Sequence, residues 1–403
     1  MSEKRVTALL GAGATLDIGG LDARLLTAYL VERNELIKKI YSTLTSLNGI
    51  DHVTFEDIMN GVEILVSMKM SNLTTLNAFA DMSRAFEGFS LAQLAEAHLE
   101  LLNSAGDKIH EYEQKFLRAR SRNFFVDAMN YAADKMPWDV ITLNYDTCLN
   151  QIFEGRYVDG FDEPEPVMSL EADYDLAGRF RPGLLRNAGT RSRIIHLHGC
   201  IRFAQAIPED DPNKHALLES EFDAYKYTTY EQAKSHWQIS FGVVDRNQAG
   251  DILFNDPLLI GTKKPDKLLF AYPYAAYLYE LQNALINNGG LLIAGYSCND
   301  VYLNNLLIRM TEMHGSNRRI VIINRYDTSK VGKAHLVTDN EFRVFAHLMN
   351  DAYAEPMNFD REVRVEHEAS AFVSTDGCVR IYFNGLRDAM VNHWDEIIKF
   401  LSE

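Results

Sequence analysis

Six short apolar runs constrain the fold of this chain more than any other feature of its sequence. Each run is strand-sized, and each leads into a small or polar residue. They are Val6 to Leu10, Asp139 to Leu143, Ile194 to Leu197, Pro257 to Ile260, Leu291 to Ala294 and Ile320 to Ile323. Runs of this kind are typical of parallel strands that are buried on both faces of a sheet. The sequence therefore predicts an α/β fold with a doubly wound, mostly parallel, Rossmann-like sheet.

A glycine turn, Gly11-Ala12-Gly13-Ala14-Thr15, follows the first of these runs directly. In doubly wound sheets, a Gly-x-Gly at this point lets backbone N–H groups approach a pyrophosphate. The full Gly-x-Gly-x-x-Gly spacing is not met, because Leu16 stands where the third glycine would be. The turn by itself predicts that the protein binds a dinucleotide, but it does not indicate a reaction. The candidates for reactive residues follow the other strands.

A long helical stretch separates the first two strands. Residues 25 to 135 carry apolar side chains three or four positions apart, and Ser90 to Gln93 fits a capping box. We expect a helical insertion that serves as a lid or an oligomerisation surface. The Asp, Glu, Gly and Pro content of residues 155 to 190 predicts a long loop over the sheet edge. A charged loop, Pro208 to Pro212, then precedes a predicted helix from Leu217 to Phe241.

The C-terminal part of the chain has a different pattern. The turn Asp376-Gly377 lies between two β-rich runs and predicts a hairpin. The two runs are Val363 to Val373 and Cys378 to Phe383, and an amphipathic helix, Leu386 to Leu401, follows them. We therefore expect a nucleotide-binding domain over residues 1 to 335. We expect residues 336 to 403 to form a small hairpin-plus-helix appendage that packs on this domain or pairs with another subunit.

Charge and cysteine content exclude several classes of protein. A net charge of −16 makes the chain a poor general binder of nucleic acid, which requires a basic surface. None of the four cysteines forms a Cys-x-x-Cys pair, so we expect no zinc ribbon and no metal. The N-terminal residues do not predict a signal peptide, and no apolar run approaches the ~20 residues that cross a bilayer. We expect a cytoplasmic protein that does not contact membranes.

The second strand ends in Thr142-Leu143-Asn144-Tyr145-Asp146. The amide of Asn144 can hold a ribose hydroxyl or a water molecule, and the carboxylate of Asp146 can support the loop or orient a hydroxyl. The alternative is an Asx turn, in which both residues only cap the strand.

The third strand ends in His196-Leu197-His198-Gly199, with both histidines on one face by strand alternation. A metal site would need another ligand, and the nearest candidate, Cys200, has no partner at a usual zinc spacing. His198 is the candidate general base, because it lies over the sheet edge and Gly199 leaves open backbone beside it. His196, deeper in the strand, is interpreted as a core histidine.

The last two strands end in Gly295-Tyr296-Ser297 and Asn324-Arg325. Glycine permits close approach of the backbone to a ligand. Ser297 can donate to a phosphate, and Asn324 can bind an adenosine ribose. Each is also an ordinary loop residue when taken alone.

Together these segments resemble the sirtuin superfamily in order and spacing. Gly11 to Thr15, followed by Gly19 to Arg24, aligns without gaps on the family's Gly-Ala-Gly-Ile-Ser…Gly-Ile-Pro-Asp-Phe-Arg loop. The later matches are Thr142 to Asp146 with Thr-Gln-Asn-Ile-Asp, His198-Gly199 with the catalytic His-Gly, Gly295 to Ser297 with Gly-Thr-Ser, and Ile323-Asn324 with Ile-Asn. The resemblance implies that Asn144 and His198 are catalytic. It also implies that NAD is held by Gly11, Ala12, Gly13, Thr15, Asp22, Arg24, Asp146, Gly295, Ser297 and Asn324.

The departures from the family are also informative. The deacylases of the family carry two Cys-x-x-Cys pairs, which this chain lacks, and their Gln is Leu143 here. This pattern is similar to bacterial sirtuin-like proteins of anti-phage defence, which hydrolyse NAD. The resemblance implies an NAD hydrolase that releases ADP-ribose and nicotinamide, with NAD as its substrate. It also implies a homo-oligomer with a partner protein such as a HerA-like ATPase.

Three other functions remain open. One is an NAD-dependent protein deacylase or ADP-ribosyltransferase, although the missing zinc ribbon argues against its peptide groove. Another is a non-catalytic NAD or ADP-ribose sensor that regulates a partner ATPase or nuclease, which would have no need of a base such as His198. The third is an oxidoreductase, since Glu32 and Glu35 stand near the distance from the glycine turn at which a ribose-binding acid is expected.

Overall fold

The computed structural model describes most of the chain. The described residues are 4–18, 20–21, 23–48, 53–70, 88–119, 124–153, 155–168, 174–206, 223–237, 245–246, 252–253, 257–260, 264, 268–269, 271–325, 344–345, 347–349, 371–374 and 376–403. Within them, no helix is both long and apolar enough to cross a bilayer.

The strands and helices alternate along much of the chain. The strands are β1 (Val6–Leu10), β2 (Trp138–Thr142), β3 (Tyr157–Val158), β4 (Glu165–Met168), β5 (Tyr174–Arg179), β6 (Ser192–His196), β7 (Phe203–Ala206), β8 (Asp223–Tyr227), β9 (Asp245–Arg246), β10 (Ile252–Leu253), β11 (Gly290–Ala294), β12 (Arg319–Ile323), β13 (Ala371–Val373) and β14 (Val379–Tyr382). The α-helices are α1 (Ala23–Val31), α2 (Glu35–Asn48), α3 (Phe55–Met70), α4 (Leu91–Ala119), α5 (Phe124–Lys135), α6 (Cys148–Ile152), α7 (Pro182–Arg186), α8 (Tyr230–Trp237), α9 (Tyr274–Asn287), α10 (Val301–His314), α11 (Leu386–Asn392) and α12 (Trp394–Ser402).

The main sheet confirms the predicted fold class. Its strand order is β13-β14-β12-β11-β1-β2-β6-β3, and all its pairings are parallel except that of β13 with β14. The six strands from β6 to β14 have the 3-2-1-4-5-6 order of doubly wound nucleotide-binding folds. Their side chains alternate between two buried cores, one on each face, with α9 and α10 on one side and α5 and α12 on the other. Burial on both faces explains why the strands are continuous apolar runs.

Five of the six predicted strands are present, as β1, β2, β6, β11 and β12. The fourth predicted strand, Pro257 to Ile260, does not join the main sheet. It is buried, and Leu258 forms an isolated antiparallel bridge with Gly199. The apolar character of this run therefore reflects burial, and its backbone pairs only locally with the segment from His198 to Cys200.

The predicted helical insertion is also present, as α1 to α5 between β1 and β2. The predicted capping box starts α4: the Ser90 N–H donates to Gln93 Oε1 at 2.9 Å, and the Gln93 N–H donates to Ser90 Oγ at 3.2 Å. α4 runs through Gly106, where a Cβ atom would lie 2.6 Å from the Trp237 ring. The missing side chain lets α4 pack closely on α8. The insertion shares one apolar core with α8 and with strands β5, β7 and β8.

A second, antiparallel sheet, β4-β5-β8-β7, corrects two predictions. The segment 155 to 190 is not a long loop, because it contains β3, β4, β5 and α7. In the predicted helix from Leu217 to Phe241, the described residues form β8 and then α8. Residues 208 to 212, predicted as a charged loop, lie outside the described residues.

The C-terminal hairpin extends the main sheet. β13 pairs antiparallel with β14 around the predicted turn at Asp376-Gly377, and β14 pairs parallel with β12. Helices α11 and α12 follow, and Trp394 Nε1 donates to the Ala128 carbonyl at 2.8 Å. The hairpin-plus-helix segment thus packs into the core of the main sheet.

Candidate active site

The carboxyl ends of the parallel strands lie at one edge of the main sheet. The register pairs Leu10 with both Thr142 and Ala294, and it pairs Thr142 with His196. Four neighbouring strands therefore end at the same level. The candidate residues that follow these strands are brought to one rim, where doubly wound sheets bind ligands.

The glycines of the rim allow two turns to pack backbone against backbone. The Gly11 N–H donates to the Ala294 carbonyl at 2.9 Å, and the Gly13 N–H donates to the Gly295 carbonyl at 3.0 Å. A Cβ atom on Gly11 would lie 2.5 Å from the Gly295 oxygen. Gly295 has a φ of +60°, and a Cβ there would lie 1.9 Å from the Ala14 nitrogen. The N–H groups of Gly11 and Gly13 are thus used inside the protein, and these glycines primarily join β1 to β11.

A small, largely enclosed cleft lies between the β1 turn and the end of β2, with room for about one water molecule. Its lining residues are Leu10, Ala14, Thr15, Phe125, Thr142, Asn144, Asp146, Cys148 and Leu149. Thr15 Oγ1 donates to the Ala12 carbonyl at 3.0 Å, which folds the turn onto itself. Three of the predicted site residues, Thr15, Asn144 and Asp146, therefore line one cleft.

The loop after β2 is a tight turn that leads into α6. The Asn144 N–H donates to Thr142 Oγ1 at 3.1 Å, and the Cys148 N–H donates to Asp146 Oδ1 at 3.0 Å. The Asp146 contact is the Asx turn that the sequence left open as an alternative. Burial raises the pKa of Asp146 to about 6, and the nearby Glu113 carboxylate adds to this rise. Asp146 therefore caps this turn and also lines the cleft.

The helical insertion holds this loop from behind through Glu113 of α4. Glu113 is fully buried and accepts from the Thr147 N–H at 2.8 Å and from the Thr147 hydroxyl. Its other oxygen lies 3.4 Å from His110 Nδ1 and 3.6 Å from Arg202 Nη2. Sequence patterns missed Glu113, because it lies 25 positions before β2 on a helix that shows only amphipathic spacing.

His198 lies just beyond β6, which ends at His196. It is buried, and burial lowers its pKa below the usual value, with the Lys264 charge adding to the effect. Gly199 does not leave open backbone beside it, contrary to the prediction. A Cβ on Gly199 would lie 2.0 Å from the Pro257 oxygen, and its φ is +92°. The glycine is needed for this close contact, which fixes the backbone next to His198.

His196 is a core residue, as interpreted from the sequence. It is fully buried, and its Nε2 lies 2.8 Å from Asn150 Oδ1. Asn150 Nδ2 donates in turn to Asp159 Oδ2 at 3.2 Å. Burial lowers the pKa of His196 to about 4, so it is neutral at physiological pH.

Three charged residues that the sequence did not single out lie around His198. Asp300 Oδ2 is 3.4 Å from His198 Nε2. Lys264 Nζ donates to Glu56 Oε2 at 2.7 Å, and Tyr145 contacts the other Glu56 oxygen at 3.4 Å. Glu56 belongs to α3, so the helical insertion reaches the candidate site. These contacts join residues about 100 to 200 positions apart, and no local sequence pattern could reveal them.

The remaining predicted residues lie at the periphery of the rim. Ser297 and Arg24 are exposed, and Ala12 is exposed in the β1 turn. Asn324 caps β12: its N–H donates to the Tyr382 carbonyl at 3.0 Å, and its Oδ1 accepts from the Arg325 N–H at 2.9 Å. Asp22 lies outside the described residues. The four cysteines are buried and none is part of a disulfide, and the part of the chain that the structure describes contains no cluster of His, Cys, Asp and Glu suited to a metal ion.

Comparison with protein families supports the interpretation of this rim. Residues 139–344 match the family described as SIR2-like domain, and the match covers about half of the chain. It includes Asn144, His198 and Gly295, whereas the β1 glycine turn and the helical insertion precede it. A search of curated proteins gives no significant match. SIR2-like domains bind NAD, which agrees with the dinucleotide predicted from the glycine turn. The chain belongs to the family of SIR2-like domains.

Proposed function

We propose that this protein is an NAD hydrolase that cleaves the bond between nicotinamide and ribose. The observation that carries the proposal is the placement of Asn144 and His198 after the adjacent strands β2 and β6, on the rim of a SIR2-like domain. An amide that can hold a hydroxyl or water and a buried imidazole that can accept a proton are the groups that such a cleavage would use.

The reaction breaks the bond from C1′ of the ribose to the ring nitrogen of nicotinamide. The electron pair of that bond returns to the ring, which leaves as neutral nicotinamide, and the transition state resembles an oxocarbenium ion. The oxygen of a water molecule bonds to C1′, and the proton of that water passes to a base. ADP-ribose is the other product, and no oxidant or reductant takes part.

The two residues have separate roles in this proposal. His198 accepts the proton from the water or from a ribose hydroxyl. Its lowered pKa keeps the imidazole neutral near pH 7, which is the form that can accept a proton. Asn144 lines the cleft and orients the ribose and the water through its amide. The rim of β11 and β12, with Gly295, Ser297 and Asn324, is left for the adenosine half of NAD.

We further propose that NAD loss serves anti-phage defence by abortive infection. A hydrolase of this kind would kill its host if it were always active, so we expect low basal turnover and a separate trigger. The proposed assembly is a homo-oligomer with a partner protein, such as a HerA-like ATPase. These proposals rest on the resemblance to sirtuin-like defence proteins.

The test is an NAD assay with product identification, performed with and without the protein encoded by the neighbouring gene. The parent chain should release nicotinamide and free ADP-ribose in equal amounts. Asn144→Ala and His198→Ala should each lower the rate by roughly 10²–10⁴-fold, the usual contribution of a positioned acid–base group. His236→Gln is the matched control, because this buried histidine of α8 bonds Asp175 of β5 at 3.0 Å, and neither element belongs to the main sheet.

The same assay separates the other functions. Transfer of ADP-ribose to an acceptor, or deacylation of a peptide, would replace hydrolysis by the competing enzyme classes. NAD binding with no turnover under either condition would favour a sensor. Parent-like turnover in the two alanine variants would show that the residue roles are wrong.

A further inference from the structure

The loop after β11 brings the Asp300 carboxylate close to His198, and its backbone is strained at Cys298. Gly295 has a φ of +60°, and Cys298, which is not a glycine, has a φ of +56°. A non-glycine residue in this region is strained, and it keeps this conformation only where its surroundings enforce it. Here Asn304 Nδ2 donates to the Cys298 carbonyl at 2.8 Å. The loop ends at Asp300, the N-cap residue of α10.

The two carboxylate oxygens of Asp300 have different contacts. Oδ1 accepts from the Leu303 N–H at 3.0 Å and so caps α10. Oδ2 lies 3.4 Å from Nε2 of His198, with side-chain exposures of 18% for Asp300 and 7% for His198. Capping uses one oxygen and leaves the other for the imidazole. A contact of 3.4 Å is long for a hydrogen bond, as is common at sites that tighten around substrate.

We propose that Asp300 is the positioning residue for His198. A carboxylate beside Nε2 favours the tautomer that carries its proton on Nε2, and it leaves the lone pair on Nδ1 to accept the proton in the reaction. The same carboxylate stabilises the imidazolium that forms, as the aspartate does in the Ser-His-Asp triad. The proposal rests on the proposed function only for its catalytic consequence. The tautomer is a property of the protein without NAD.

An N-cap alone would explain Asp300 differently. Asn and Asp are about equally good N-cap residues, and replacing either with Ala destabilises the helix. Asp300→Asn therefore keeps the cap and removes the charge, whereas Asp300→Ala removes both. The Asn variant separates the positioning role from the capping role.

Three charged groups act on the ionisation of His198. Lys264 lowers its pKa together with burial, whereas Asp300 and Glu56 raise it. Loss of the Asp300 charge should therefore lower the pKa further. The acid limb of kcat/KM, where the base becomes protonated, should shift to lower pH in Asp300→Asn. Lys264→Met should shift the same limb to higher pH.

The experiment combines ¹⁵N-histidine NMR with kinetics on the full chain. His198→Gln identifies the resonance of His198. In the parent, that imidazole should be mainly the Nε2-protonated tautomer, and Asp300→Asn should change the tautomer ratio. Kinetically, Asp300→Asn should lower kcat more than about 10-fold, but by no more than the ~10⁴-fold that a general base can supply, with a smaller change in KM. Asp175→Asn is the matched control: Asp175 is 16% exposed and bonds His236, and its loss should move neither the His198 tautomer nor the rate.

The outcomes distinguish the two proposals. An unchanged tautomer in a folded Asp300→Asn protein would overturn the positioning role, whatever the turnover. So would an unchanged kcat and pH profile in an active enzyme. An altered tautomer in a protein that does not hydrolyse NAD would support the positioning role and count against the proposed function. A loss in Asp300→Ala that Asp300→Asn restores would assign Asp300 to capping alone.

Discussion

Asp146 combines a structural role with a position in the candidate cleft. Its carboxylate accepts from the Cys148 N–H, but burial disfavours the charged form and raises its pKa to about 6. A group whose folded pKa lies above the unfolded value of about 3.9 costs stability at neutral pH. A buried charge kept at such a cost is a mark of functional sites, because packing alone would be served by a neutral residue.

Asp146→Asn should therefore stabilise the protein at pH 7.5, by about 1–3 kcal/mol. The amide oxygen still accepts from Cys148, and the cost of the buried charge is gone. The advantage should shrink as the pH falls from 6 to 4, where Asp146 becomes protonated in the folded chain. Urea unfolding at several pH values measures this. Asp134→Asn is the control, since Asp134 is exposed and pairs with exposed Arg156. An equal effect of Asp146→Asn at pH 4 and pH 7.5 would contradict the account.

Helix α4 determines where the loop after β2 lies. Glu113 is the contact, and burial alone would raise its pKa. The interactions with His110, Arg202 and Thr147 outweigh burial, so the pKa is lowered. The carboxylate therefore contributes stability above the unfolded pKa of about 4.3, and this contribution is lost as the pH falls through the folded pKa.

Glu113→Ala should destabilise the protein by roughly 3–5 kcal/mol at pH 7, because it leaves Arg202 and Thr147 without their buried partner. Glu113→Gln should cost less, since its amide oxygen can still accept from Thr147. The difference between parent and Gln variant should narrow below about pH 4. Glu111→Gln on the same helix is the matched control: its ion pairs with Lys108 and Lys115 are exposed and should contribute little to stability. Equal melting temperatures for the two Gln variants at pH 7 would argue against a structural role for Glu113.

Sequence patterns predicted the elements that are buried on two faces. Such strands as β1 and β11 are uninterrupted apolar runs, and the capping box at Ser90 is a local signal. The antiparallel sheet was missed because its strands are half-exposed and irregular. In β5, Tyr174 and Leu176 are exposed while Ala177 and Gly178 are buried, so no period of two is visible. Which side chains suit these strands depends on tertiary contacts, and a single sequence does not reveal those contacts.

The candidate site likewise contains some residues that the sequence predicted and others that it did not. Asn144 and His198 were predicted because each directly follows a recognisable strand. Asp300, Glu56 and Glu113 were not predicted, because they act through contacts that form only when distant segments fold together. The glycine turn was assigned to a pyrophosphate, and its backbone contacts with Gly295 show that it also joins two strands. The candidate site therefore forms only when the sheet and the helical insertion have folded together.

The C-terminal segment tests how far the sheet depends on distant parts of the chain. If residues 336 to 403 were a removable appendage, a chain that stops before β13 would fold. We expect that it does not, because α12 covers β11 and β12. A Cβ on Gly290 would lie 2.6 Å from the Leu401 carbonyl, and Leu401 is fully buried.

Leu401→Ala tests this dependence in the full-length chain. The substitution should cost roughly 2–5 kcal/mol, as expected for a large-to-small change in a core. Val391→Ala on the exposed face of α11 should change stability by less than about 0.5 kcal/mol. Thermal melts of both variants, with the solubility of the shortened chain, provide the measurement. A shortened chain that unfolds cooperatively at the parent temperature would show that the main sheet is complete without its C-terminal strands, and that the rim residues are positioned without them.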